Sequence, residues 1–397
     1  MSAKRLVICG GGIAGLTAAL CAHKAGWRPI VVERASELSE VGAGLQVGAN
    51  AMKVLAALGL DDAVEAAGHA PNSLDFAIGE TGETVFSVPA GEAARERWGA
   101  AHINIRRAAL QAILQAALAD QVPDALVLGQ SGIDYDVAAD GVTLQCESGA
   151  RYAGDALIIA DGVNSALRTR FFGDERADYT GHTALRALVP ATTRLRSLVP
   201  DASTAWTGQE RHAVTYFLRD HEWVNFVGVV EQDEPTPEGW HNQASLAQAR
   251  AAFSAFAAPV RAVLERAESV RAWGLYDRPP PQHLARGKLA VIGDAGVSMP
   301  PFMAQGASFA MECAWTAVWS IASTGQFEAY SKAMTIRGGR ILEAARRNGD
   351  LFHGRGLPAL LGYAPIKLAA RVLPLAIKGR FDWIYGFDAT AGRPLNA

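Results

Sequence analysis

Cysteine is scarce: Cys9, Cys21, Cys146 and Cys313 are the only four in 397 residues. They form no Cys-x-x-Cys pair and no metal-ligand spacing, so neither a disulfide framework nor a bound metal is expected. Cys9 and Cys21 read instead as small buried hydrophobes, and reducing, cytoplasmic surroundings are the expectation. Charge is also sparse and balanced, 37 basic against 40 acidic residues for a net charge of −3. That gives no general attraction to nucleic acid or to anionic lipid. No uninterrupted apolar run reaches the roughly 18 residues of a membrane span. A first strand is expected from Arg5, so no signal peptide is expected ahead of it. With 50% hydrophobic and 19% charged residues, the composition is that of a globular protein, and the length suggests two or three domains.

Against those shortages, glycine is placed with purpose. The apolar run Arg5-Leu6-Val7-Ile8-Cys9 enters Gly10-Gly11-Gly12-Ile13-Ala14-Gly15, and Leu16-Thr17-Ala18-Ala19-Leu20 continues at helical spacing. A second apolar run, Ile30-Val31-Val32, ends at Glu33 and Arg34. Strand, Gly-x-Gly-x-x-Gly turn, helix and a second strand closed by an acid is the context of a dinucleotide fingerprint. Gly10 permits the tight turn, Gly12 lets backbone N–H groups approach a pyrophosphate, and Gly15 lets the helix lie close to the strand. The phosphates would face the positive end of the helix, and Glu33 would accept from a ribose hydroxyl.

Further along, Val41–Ala51 is a glycine-rich loop containing Gly44 and Gln46, placed for cofactor contact, with Asn50 as the cap of a helix Ala51–Leu58. Ser73–Val88 alternates around a turn and reads as a hairpin; Asp75 in it is a surface residue or a pocket wall. Arg106 and Arg107 open an amphipathic helix. Asp155–Ala160 and Leu289–Ile292 are wholly apolar, as in a buried parallel sheet, and end at Asp161-Gly162 and Gly293-Asp294. From Tyr179 to Trp273 the texture changes, with strands at Ala184–Val189, Ala213–Leu218 and Trp223–Val230 and one helix over Ser245–Glu268. The loop Ser298–Gln305, which includes Pro301, leads through Gly306-Ala307-Ser308 into a helix stopped by Gly325.

Together Gly10–Gly15 with Glu33, Asp161-Gly162 with Arg168, and Gly293-Asp294 resemble the single-component FAD-dependent aromatic hydroxylases, among them the salicylate, 3-hydroxybenzoate and 6-hydroxynicotinate hydroxylases. The likeness runs from Lys4 to about Cys313, and Phe381–Asp388 is similar to salicylate hydroxylase-type members. The resemblance implies an α/β fold: a Rossmann-like FAD-binding domain, an inserted α+β substrate domain built on a β-sheet, and C-terminal helices. The expected boundaries are 1–71, 101–178 and 275–320 for the FAD-binding domain, 72–100 and 179–274 for the substrate domain, and 321–397 for the helical segment. It further implies that Gly10, Gly12, Ile13, Ala14, Gly15, Glu33, Arg34, Gly44, Gln46, Arg107, Asp161, Gly293, Asp294, Gly306 and Ala307 hold FAD. The loop after Asp294 departs from the family's Gly-Asp-Ala-Ala-His-Pro, with Gly296, Val297 and Ser298 in place of the last three residues.

On the substrate side the resemblance points to His212, Val214 and Tyr216, which period-2 geometry sends to one face. It adds Gln305 and Pro301 from the loop and, loosely, Asp75. His212 is the expected catalytic base, with Tyr216 and Gln305 beside it. The implied reaction is hydroxylation of a phenolic or hydroxypyridine-type ring, carboxylated or not, with NADH or NADPH as transient reductant and O₂ delivered from a flavin hydroperoxide. A reductase or halogenase sharing the fold, or an FAD-holding protein without catalysis, stays open, although the halogenase run Gly-Trp-x-Trp-x-Ile-Pro does not occur. Nucleic acid is not an expected partner. The basic, apolar stretch Gly354–Gly379 is broken by Pro358, Pro365 and Pro374, so packing against the chain or a second subunit is expected there rather than membrane binding. A monomer or homodimer is expected.

Overall fold

The computed structural model describes residues 3–38, 44–173, 177–219, 221–237, 242–355, 359, 361–372 and 379–391. At its centre the strand Arg5–Cys9 lies between Arg28–Val32 and Ala156–Ile159, parallel to both. Leu126–Val127 and Leu289–Val291 extend this sheet in parallel, and Ala285–Arg286 adds an antiparallel edge, giving six strands. The central strands are apolar on both faces because helices Ile13–Lys24, Arg107–Gln121 and Gly306–Thr324 cover one side and the small sheet Gly132–Val137, Val142–Cys146, Arg151–Gly154 the other. Gly10, Glu33 and Asp161 all follow the carboxyl ends of neighbouring strands, where open α/β sheets bind ligands.

The second body is an eight-stranded sheet drawn from two stretches of chain, Ser73–Pro89 and Asp178–Asp277. Its two faces separate by residue parity. On the strand Arg211–Leu218, Ala213 and Phe217 join Trp206, Phe226, Phe253 and Phe256 in a core beneath the helices Leu246–Ala252 and Ala258–Arg266. His212, Val214 and Tyr216 therefore face the other way, toward the nucleotide-binding half. The helix Glu328–Phe352 runs back against this half, and the short helix Asp382–Tyr385 packs near its middle.

Several local expectations change. Ser245–Glu268 is two helices with turns at Phe253–Ala257, because Pro259 cannot sit inside a helix and instead occupies the first turn of the second one. Asn50 is not a cap: the helix runs Ala49–Ala57 with Gly48 before it, and the Asn50 amide points into the interior. The Ser- and Thr-rich strand Ala202–Gly208, buried on both faces, is missing from the sequence reading. Pro365 does not break its stretch; it lies at the second position of a helix Ala364–Val372, where its absent N–H costs no bond. Val41, Gly42 and Ala43, together with Pro358, Pro374 and Lys378, lie outside the described residues. No helix of the described residues is long and apolar enough to cross a membrane.

Candidate active site

The glycine turn has the shape that its sequence demands. Gly10 has φ +111°, and a Cβ on Gly15 would stand 1.9 Å from the Gly10 carbonyl oxygen, so helix Ile13–Lys24 can approach the strand only because neither residue carries a side chain. A Cβ on Gly12, by contrast, would meet nothing within 4 Å. That open side at the start of a helix is where a pyrophosphate fits. Glu33 receives the Gly11 N–H on Oε2 at 2.6 Å and the Ala35 N–H on Oε1 at 2.8 Å, which pins its carboxylate beside the turn with a second lone pair on each oxygen. Ile13 and Ala14 are buried, and Arg34 is exposed.

Asp161 sits beside this turn with its Oδ1 buried and without a hydrogen bond among the described residues. Burial pushes its pKa up to about 6, against the pull of Ser165, backbone N–H groups and Arg34. An orphaned acceptor next to an open glycine edge suits a nucleotide that brings donors of its own. Arg168, one turn into the following helix, is spent elsewhere. It is buried and donates to the carbonyls of Ala295 and Gly296 at 2.8 and 3.0 Å, tying the Asp161 helix to the Gly293-Asp294 loop. That clamp stands in a loop that lacks the family's His and Pro.

Gly293 has φ +61°, and a Cβ there would lie 3.0 Å from the Ala14 Cβ, so this loop docks on the first helix. The Asp294 side chain is accessible yet surrounded by protein, and burial raises its pKa while Arg107 lowers it. Gly306 and Ala307, half-exposed, begin the 19-residue helix Gly306–Thr324 close by. Gly44 and Gln46 lie on the short strand Gly44–Val47, and the Gly44 N–H donates to Asn225 Oδ1 at 3.0 Å, joining the two bodies. Gly10, Gly12, Glu33, Asp161 and Gly293 thus lie about one open-edged turn with an unpartnered acceptor, and these residues fit the cofactor.

Across the inner face of the large sheet, three rows stand side by side. Ala184, Val229 and His212 form the first; Arg186, Val227 and Val214 the second; Leu188, Asn225 and Tyr216 the third. His212 packs against Phe302 with ring centroids 5.4 Å apart, and Phe302 belongs to the turn Pro301–Met303 that leads into the cofactor-side helix. His212 is buried, and burial drives its pKa well below that of an ordinary histidine, with His353 and His182 adding to the shift. Tyr216 is buried too: desolvation pushes it up to about 12 against the charge of Arg186 and a bond from Asn225. Arg186 is itself lowered to about 10, first by burial and then by Arg107, with Tyr216 opposing.

His212, Val214, Tyr216 and Pro301 are therefore brought to one region. Gln305 is adjacent in chain, but it is buried and its Oε1 accepts from Asn50 Nδ2 at 3.0 Å, within a network that continues to Glu312 and Arg337. Asp75 is not brought there. It pairs with Thr204 on the opposite face of the sheet and accepts from Ser87 at a half-exposed position, so the substrate contact suggested for it is withdrawn. Sequence reading missed Arg186, Asn225, Glu231, His182 and His353. Among the described residues, two trios of potential metal donors also occur, His69 with Asp201 and His221, and His182 with Glu231 and His353.

Comparison with known proteins identifies the family. The chain matches the FAD binding domain family over residues 4–334, and it belongs to that family. It is 32% identical over 391 residues to a 3-amino-4-hydroxybenzoate 2-monooxygenase of Streptomyces platensis, covering 97% of this chain and 96% of the relative. It is likewise 32% identical over 311 residues to the 6-hydroxynicotinate 3-monooxygenase of Pseudomonas fluorescens, covering 78% and 80%. Among solved structures, Klebsiella pneumoniae HpxO complexed with FAD and uric acid superposes with a TM-score of 0.80 at 25% identity, covering 94% of this chain and 95% of that one. A salicylate hydroxylase substrate complex shares the fold, with a TM-score of 0.82 at 23% identity and coverage of 98% and 97%. Within the family, the chain is one of the FAD-dependent aromatic monooxygenases.

Proposed function

We propose that the chain hydroxylates a small phenolic or hydroxypyridine-type aromatic compound bearing an anionic group, using NADH or NADPH as reductant. The observation that carries this reading is a neutral, buried His212 held against Phe302 of the loop that enters the cofactor-side helix. Gly10, Gly12, Ile13, Ala14, Gly15, Glu33, Arg34, Gly44, Gln46, Arg107, Asp161, Gly293 and Asp294 would hold FAD, and the chemistry it would supply when bound is the activation of oxygen.

The remaining chemistry belongs to side chains. A phenol has a pKa near 10 and is attacked best as the phenolate, so His212 takes the hydroxyl proton. His212 and Tyr216 are four residue steps apart along the strand, about 13 Å at the usual rise, which accommodates one ring with a polar group at each end. Tyr216 and the charge of Arg186 hold the anionic end, and Val214 lies under the ring. The Gly306 and Ala307 N–H groups, at the positive end of their helix, favour negative charge on the cofactor. Gln305 positions the loop through Asn50. His212→Ala is expected to keep FAD and lose 10²- to 10⁴-fold in hydroxylation, the usual worth of about one general base. Wild-type turnover by this variant between about pH 6 and pH 9 would remove the base assignment.

A further inference from the structure

Two histidines and a glutamate stand in line from the inner face of the sheet to the surface. His212 Nδ1 lies 2.8 Å from His353 Nε2, and His353 Nδ1 lies 2.9 Å from Glu231 Oε1. Each comes from a different element: His212 from Arg211–Leu218, Glu231 from the end of Trp223–Glu231, and His353 from the residue that closes helix Glu328–Phe352. Exposure rises along the line. Both rings are buried, the Glu231 side chain is 22% exposed, and Arg355, which donates to Glu231 Oε2 at 2.6 Å, is 54% exposed.

These bonds fix which nitrogen carries each proton. Burial works to raise the Glu231 pKa, but the His353 bond and the Arg355 charge bring it below the usual carboxylate range, so Glu231 is an anion and only accepts. His353 must then present Nδ1–H to it, which leaves the lone pair on Nε2. His212 in turn presents Nδ1–H to His353, and its own lone pair lies on Nε2, at the other edge of the ring. Burial lowers both rings, His353 to about 4 against the pull of its Glu231 bond, and His212 well below an ordinary histidine, so both are neutral.

A base in this position can accept a proton only if it passes one on. An imidazolium at His212 would be buried beside His353, with His182 behind it at 4.9 Å from the His353 ring. We propose that His353 and Glu231 are positioning residues that complete a proton wire from His212 to solvent, an inference that rests on the hydroxylase reading. The substrate O–H bond breaks as His212 Nε2–H forms. His212 Nδ1–H breaks as His353 Nε2–H forms, and His353 Nδ1–H breaks as the proton reaches Glu231 Oε1 and then water. Each ring stays neutral overall, no further reactant is consumed, and once the ring has taken oxygen and lost its C–H proton the reverse hops return a proton from water to the product oxygen, which restores the starting tautomers. The charged and titratable groups around His353 are His182, Glu231, Asp350 and Arg355. The fixed charge of Arg355 opposes a divalent cation at the His182, Glu231 and His353 donors, which favours a proton path over a metal site there.

The test is Glu231→Gln in the FAD-loaded protein, because glutamine still accepts from His353 yet takes no proton. Hydroxylation kcat is expected to fall at least about tenfold, with an altered solvent deuterium effect and with KM and FAD content nearly unchanged. Independently of turnover, ¹⁵N spectra of histidine-labelled wild type near pH 7 should show both rings neutral and protonated on Nδ1. Glu231→Gln should mix the tautomers at both rings. An active wild type with an unaffected Glu231→Gln, a proton on His212 Nε2, or stoichiometric zinc at His353 would overturn the wire alone. A wild type that hydroxylates no aromatic compound would overturn the functional reading and the wire with it.

Discussion

Arg337→Met tests what holds the cofactor-side loop and the C-terminal segment together. Arg337 Nε and Nη2 donate to Glu312 Oε2 and Oε1 at 2.6 and 2.7 Å, and Glu312 is completely buried. The guanidinium also reaches the carbonyls of Trp383 and Ile384, both at 3.2 Å, and the Phe387 ring lies 3.7 Å away. Glu312 in turn accepts from Asn50, whose amide holds Gln305. Methionine keeps the apolar stem and strands the Glu312 charge in the interior. Removing one partner of such a pair costs about 3–5 kcal/mol. For 397 residues the unfolding entropy near 60 °C is about 0.8 kcal/mol/K, so Tm should fall about 4–6 °C. The double variant Arg337→Met/Glu312→Leu leaves no charge behind and should recover more than half of the loss. Urea midpoints with a common m-value provide the assay. A loss under about 1 kcal/mol for the single variant, or a double variant no better than the single, would refute the reasoning.

Two further outcomes follow from the cradle and from the buried histidines. Gly12→Ala, with open space at its Cβ and an extended φ of −76°, should leave apo stability within about 0.5 kcal/mol. It should nevertheless weaken FAD at least about tenfold by filling the pyrophosphate space, and an unchanged affinity in fluorescence titration would displace the pyrophosphate from this turn. His102 is buried, and its ring nitrogens bond nothing among the described residues, so burial lowers its pKa to about 4. As pH falls from about 6.5 toward about 4, the unfolded chain takes up a proton that folded His102 refuses, and stability drops by about 1.4 kcal/mol per pH unit for each such histidine. His102→Phe should flatten that slope in urea titrations at acidic pH; an identical slope would mean that His102 is not held neutral.

How much was legible in the sequence depended on how local each signal is. Gly10 to Glu33 encodes a strand, a turn, a helix and a second strand in one unbroken stretch, so periodicity and glycine spacing sufficed. Asp161 and Asp294 were readable because each ends a wholly apolar strand. His212, Val214 and Tyr216 share a face because period-2 geometry is local as well. Asn50 misled because a small amide before a helical run looks like a cap; its inward turn is explained by the buried Gln305 and Glu312, 255 and 262 residues away. His353 and Glu231 carried no signal, since 122 residues separate them and nothing in either neighbourhood marks the other. Asp75 failed for a geometric reason: strand pairing with Thr204 put it on the face that the helices cover.

The central claim, that this chain inserts oxygen into an aromatic ring, is tested most directly with isotopic O₂. FAD-loaded protein is mixed with NADH or NADPH and a panel of hydroxylated aromatic acids and hydroxypyridines under ¹⁸O₂, and products are read by mass spectrometry. A hydroxylated product carrying a single ¹⁸O atom is expected, formed only when the aromatic compound also speeds NAD(P)H oxidation. Oxygen entering from water, or reductant consumed to hydrogen peroxide with every ring returned unchanged, would contradict it.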